Sequence, residues 1–141
     1  LTFSWSIPMA YVACGSEFGL SMFFLWIGVL IWIVVYDTFY ALVDIDDDVK
    51  TGVFSTAILF GNKVSFLTSL LQITVLVVWA YLGITMKMSL IYFLMLTIVL
   101  LFFSRQQLLI STREKEDCFR AFNESWYVGF FHFLGIFLSI S

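Results

Sequence analysis

The sequence predicts an all-α membrane protein, a bundle of about five transmembrane helices. Three observations carry that prediction. Hydrophobic residues make up 62% of the chain and charged residues only 12%, against about 25% charged in a soluble domain. Five long runs contain no charge: residues 1–16, 18–36, 64–86, 88–104 and 125–141. The charges that remain gather in the connections between those runs.

A spanning helix needs roughly 20 apolar residues, with about 17 as the lower limit. Run 1–16 is slightly short, and Pro8 within it is expected to kink the helix. The chain begins at Leu1 in mid-hydrophobic sequence, so it reads as the C-terminal part of a longer protein whose first helix here is cut. Run 18–36 reads FGLSMFFLWIGVLIWIVVY and needs no help to span. Runs 64–86 and 125–141 follow the same pattern, and run 88–104 can extend past Arg105 to residue 110. Scattered Ser, Thr and Gly allow close packing between such helices. No stretch has the basic start, short apolar core and cleavage site of a signal peptide.

Connections two (37–63) and four (105–124) hold Lys50, Lys63, Arg105, Arg113, Lys115 and Arg120, and only Lys87 lies in the other two. The positive-inside rule therefore places connections two and four on the cytoplasmic or matrix side. Cys14 and Cys118 then fall on opposite sides of the bilayer, which excludes a disulfide between them and leaves them as packing residues. In connection four the mixed signs of Glu114, Lys115, Glu116 and Asp117 predict a helical extension, with Phe119 and Phe122 laid against the membrane interface. Its basic residues fit two roles, steering of anionic substrates or contact with lipid headgroups. His132, in the last apolar run, is expected to be a neutral histidine with an interhelical hydrogen bond.

Connection two is the unusual one. Asp37, Asp44, Asp46, Asp47 and Asp48 are half of the chain's ten acidic residues. Seven residues are about two helical turns, so Asp37 and Asp44 share a face if the helix runs on past Tyr36. Asp47 and Asp48 extend that stripe, Tyr40 lies between, and Asp46 points elsewhere. At about 6 Å and an effective dielectric near 20, each like-charged pair costs roughly 3 kcal/mol. A site with oxygen ligands and no His or Cys suits Mg²⁺ or Ca²⁺. The calcium-loop pattern of an EF-hand fails, because Val49 and Ser55 stand where its glycine and glutamate belong. Mg²⁺ joining one or two carboxylates to a phosphate, helped by Lys50, is one reading of the cluster; a solvated acidic loop that ends the helix is the other.

The stretch "YDTFYALVDIDDDVKTGVFSTAILFG" (36–61) resembles the second aspartate-rich motif of the UbiA superfamily of intramembrane prenyltransferases. The likeness continues through "WSIPMA" (5–10), "QQLLISTREKEDCFRAF" (106–122) and "YVG" (127–129), so it covers nearly the whole chain. It is narrower still toward the members that prenylate 4-hydroxybenzoate in ubiquinone biosynthesis. The resemblance implies that residues 1–141 are the C-terminal part of a larger helical prenyltransferase bundle. It implies Mg²⁺ as cofactor, and polyprenyl diphosphate, 4-hydroxybenzoate and the lipid bilayer as partners, with no nucleic acid among them.

Carried over residue by residue, the resemblance assigns Asp44 and Asp48 as catalytic residues. Asp44, Asp47 and Asp48 become metal ligands, and Asp37, Tyr40 and Lys50 substrate contacts. Ile45 stands where the family pattern has a basic residue, so no diphosphate contact is assigned there. The family's first aspartate-rich motif is absent from these 141 residues and is expected upstream; without it this part alone is expected to be inactive. The implied setting is the bacterial or mitochondrial inner membrane, with the aspartates on the cytoplasmic or matrix side. Other aromatic acceptors, a membrane cation transporter and a non-catalytic assembly subunit are the alternatives. Ser55 and Thr56 are expected only to cap or pack the following helix.

Overall fold

A computed structural model describes residues 2–15, 17 and 19–140, which form seven α-helices and no strand. A 3-10 turn, Thr2–Trp5, leads into α1, Ser6–Ala13. Pro8 sits in the first turn of α1, where its missing N–H has no intrahelical partner to lose, so it starts the helix instead of kinking it. The next helix, α2 (Leu20–Val43), has 24 residues and reaches seven residues beyond its uncharged run. Two short helices fill the acidic connection, α3 (Ile45–Thr51) and α4 (Thr56–Phe60). The long helices α5 (Val64–Thr85), α6 (Leu90–Ser111) and α7 (Lys115–Ile140) complete the chain.

Among the described residues three stretches are long and apolar enough to cross a membrane: Leu20–Val43, Thr56–Thr85 and Leu90–Ser111. The other two expected spans are not among these three. α1 has only 8 residues. α7 has 26 residues, charged in its first turns as far as Glu124 and predominantly apolar from there to Ile140. The charged extension expected in connection four is therefore the start of α7 itself. Its Phe122 packs on α2, with ring centroids 5.1 Å from Tyr40 and 6.1 Å from Tyr36.

α2 packs against α5 and α7, and α6 packs against α5 and, most extensively, α7; α1 packs against α2 and the 3-10 turn before it. Two tight turns hold the α5–α6 and α6–α7 hairpins. At the first, Lys87 adopts φ 52°, and the Met88 and Lys87 amides cap the Gly83 and Ile84 carbonyls at 2.8 and 3.1 Å. At the second, Arg113 adopts φ 59°, and its guanidinium donates to the Asn62 carbonyl at 3.3 Å.

The core has two apolar clusters. One lies at the aspartate end, around Val35, Phe39, Leu42, Ala57, Val64 and Ile110. The other, around Trp79, Tyr92, Leu96, Val99 and Val128, fills the far half. Gly28 makes room there: a Cβ on it would lie 2.5 Å from Trp79 Nε1. His132 stacks on Trp79 with ring centroids 3.6 Å apart, and its Nε2 is 3.3 Å from the Tyr92 hydroxyl, which donates to the Trp79 carbonyl at 2.8 Å. The expected interhelical bond of His132 is thus present.

Between the clusters runs a buried polar ladder. Gln72 Nε2 donates to Gln106 Oε1 at 2.9 Å, and Gln106 Nε2 donates to the Ala121 carbonyl and to Ser125 Oγ at 3.1 and 3.0 Å. Gln107 Nε2 donates to Gln72 Oε1 at 2.7 Å. Such bonds join α5, α6 and α7 in a medium that offers no water to replace them.

Candidate active site

The site grows from the point where α2 stops. Asp44 has φ −100° and ψ 7°, outside the helical range, so it closes α2 and opens α3. Its carbonyl accepts the amides of both Asp47 and Asp48 at 2.9 Å. Asp46, Asp47 and Asp48 therefore occupy the first turn of α3, where carboxylates are favoured by the helix dipole. α3 ends at Gly52, whose φ of 72° suits a residue without a side chain. The chain then turns through the fully solvated Phe54 and comes back beside α2 as α4.

That return encloses a cavity of about 370 Å³ lined by Asp37, Tyr40, Ala41, Asp44, Asp48, Phe54, Ser55 and Thr56. Asp37, Asp44 and Asp48 share it as the stripe along α2 predicts, with the Tyr40 ring between them and backed by Phe122. Asp47 and Lys50 are not in its lining. They bond to each other instead, Lys50 Nζ donating to Asp47 Oδ1 at 3.0 Å. This contact holds the Asp47 carboxyl below its ordinary pKa and the Lys50 ammonium above its own. Asp46 faces a different partner, with Lys115 Nζ 3.2 Å from its Oδ2.

Of the two lining hydroxyls expected to cap or pack the following helix, Thr56 packs it and Ser55 does not cap it. Ser55 stands at the N-terminus of α4 but makes no side-chain cap. Its Oγ is buried with no hydrogen-bond partner among the described residues. Thr56 Oγ1 accepts the Thr38 hydroxyl at 2.9 Å, tying α4 to α2. No periodicity points to either; only the fold-back after Gly52 brings them to the aspartates.

The donors suit a hard divalent cation: carboxylates and hydroxyls, with no sulfur or imidazole. Among the described residues no three Asp, Glu, His or Cys side chains converge closely enough to hold a metal by themselves. A cation shared with a phosphate needs only one or two carboxylates. A second, aromatic cavity of about 330 Å³ lies between α2 and α7, lined by Trp32, Tyr36, Phe122, Asn123, Ser125 and Trp126. Phe122 touches both Tyr36 and Tyr40, so one ring joins the walls of the two cavities.

A sequence model of the UbiA prenyltransferase family matches residues 1–135. The chain is 46% identical over 138 residues to a 4-hydroxybenzoate octaprenyltransferase of Psychromonas ingrahamii, an alignment covering 98% of this chain and 48% of the relative. It is 41% identical to the protein of the same name from Photobacterium profundum, covering 99% and 49%. To that from Serratia proteamaculans it is 43% identical, covering 97% and 47%. The chain thus spans about half the length of the curated relatives it matches. No solved structure matches it.

Proposed function

The chain belongs to the UbiA prenyltransferase family, and from that premise we propose that it forms part of an enzyme transferring a polyprenyl group from polyprenyl diphosphate to 4-hydroxybenzoate, a step of ubiquinone biosynthesis. One observation carries the reading: Asp37, Asp44 and Asp48 line a single oxygen-rich cavity where an apolar helix ends. The relatives' names supply the acceptor. The three membrane-crossing helices fit a substrate with a long hydrocarbon tail.

In this reading Asp44 and Asp48 would hold Mg²⁺, with Asp37 at the near edge of the same cavity. Bound Mg²⁺ would neutralise the charge that develops on the leaving diphosphate. Ser55 Oγ, buried without a partner, donates to a phosphate or acceptor oxygen when the cavity is filled. Tyr40 turns an aromatic face toward the carbon that loses the diphosphate, where positive charge builds. The rings of the second cavity keep water away from that carbon and offer a flat apolar slot for the aromatic acceptor. The carboxylates then stand on the cytoplasmic or matrix face of an inner membrane.

The test uses the chain in its full natural length, in membranes supplied with polyprenyl diphosphate, Mg²⁺ and one acceptor at a time. Prenylated 4-hydroxybenzoate, seen by mass spectrometry and lost on chelation, is the expected product. Product from homogentisate or a dihydroxynaphthoate alone would replace the acceptor. No product from any acceptor, with the protein shown to be folded, would overturn the reading in favour of a cation-transport or assembly role.

A further inference from the structure

Away from the aspartate cavity, a carboxylate with little solvent holds two arginines at the surface. The Glu124 side chain is 13% exposed, and a carboxylate so placed requires a cation. Arg105 reaches it from α6, with Nε 2.9 Å from Oε2 and 3.1 Å from Oε1. Arg120, one turn earlier on α7, brings its Nε to 3.5 Å from Oε1. One carboxylate balances one guanidinium, so the cluster keeps a net positive charge. Each arginine turns its Nε to Glu124, and both side chains stay more than half exposed, at 53% and 62%. The outward forks of both are left for another anion.

The surroundings identify its source. Leu101 and Leu108, one turn either side of Arg105 on the same face of α6, are 64% and 72% exposed. Phe119, next to Arg120, is also exposed. Arg105 lies about 10 Å along α6 from the turn at Thr112, a short step into the membrane-facing surface. A pair of guanidinium forks bordered by exposed leucines matches a group that is phosphate at one end and hydrocarbon at the other. None of the three charged residues lines the aspartate cavity. We propose that Arg105 and Arg120, positioned by Glu124, bind the headgroup phosphate of an anionic phospholipid.

The experiment takes the full natural-length chain in micelles doped with equal amounts of phosphatidylglycerol and phosphatidylcholine, and counts retained lipids by native mass spectrometry. Preferential retention of phosphatidylglycerol is expected, reduced about fivefold for each of Arg105→Gln and Arg120→Gln. Equal retention of the two lipids, or a double variant that keeps the preference, would overturn the proposal. Loss of bound phosphatidylglycerol to millimolar inorganic diphosphate would make this a site for soluble phosphates and also overturn it.

Discussion

Lys115, the first residue of α7, pairs with Asp46 on α3 at 3.2 Å. The contact joins the acidic helix to the last helix of the bundle. Together with the Asp47–Lys50 bond it divides five neighbouring aspartates into two groups. Two have lysine partners outside the cavity, and three face the cavity.

That division predicts unequal mutational effects. In the full natural-length enzyme, Asp44→Asn and Asp48→Asn should each lower kcat/KM about 100-fold or more, the scale expected when a preorganised electrostatic contact to developing charge is removed. Asp47→Asn should cost less than about threefold, because its carboxylate pairs with Lys50 outside the cavity lining. Steady-state kinetics on the three variants decides it. Comparable losses at Asp47 and Asp48 would contradict the partition.

The Asp47–Lys50 pair also has a defined titration. Asp47 is lowered from its ordinary 3.8, chiefly by the hydrogen bond from Lys50 and then by its charge. A depressed carboxyl contributes stability above its unfolded value and loses it as pH falls through the folded one. Lys50, raised from 10.5, contributes below its unfolded value and loses it as pH rises through the folded one. The helix α3 should therefore be unchanged between those limits. Carbon-13 NMR of Asp47 should give a midpoint below 3.8, moving up in Lys50→Ala; a midpoint that ignores Lys50 would rule the contact out in solution.

The glutamine ladder predicts a stability cost far from the chemistry. Gln106→Leu removes the acceptor of Gln72 and the donor to Ala121 and Ser125 in one step. The loss should be about 1–2 kcal/mol, read as a lower midpoint of thermal unfolding in detergent. An unchanged midpoint would show that these groups find other partners.

The cysteines should differ sharply toward thiol reagents. Cys14 is exposed and Cys118 buried, both unpaired. Burial, followed by the neighbouring Asp117 charge, raises the Cys118 thiol above its ordinary 9.0, so near neutral pH it holds less thiolate as well as being covered. Maleimide at neutral pH should label Cys14 at least about tenfold faster. Similar rates at the two positions would mean that the aspartate end of the bundle opens in solution.

How far the sequence discloses this arrangement depends on the kind of signal. Asp37, Tyr40, Asp44 and Asp48 recur at helical spacing, so their common face is legible from spacing alone. Asp47 belongs to the same arithmetic, yet the restart of the helix at Asp44 gives it to Lys50. Ser55 and Thr56 reach the cavity because the chain doubles back after Gly52, and a reversal of direction leaves no periodic trace. Gln72 and Gln106 read as interruptions in apolar runs; their worth is visible only once three helices meet. The charged start of α7 is legible as helix from its mixed signs; that it belongs to the last helix of the bundle follows only from the turn at Arg113 that precedes it.

The same ladder has a consequence for assembly. Apolar helices in lipid slide past one another at little cost, since one methyl group replaces another. Gln72, Gln106 and Ser125 permit no such sliding. Moving α6 by one residue would turn it about 100° and carry the Gln106 amide away from both neighbours at once. Three helices that are ambiguous by greasiness alone thus acquire a single alignment, and the turret of carboxylates above them is aimed by a latch buried well below it.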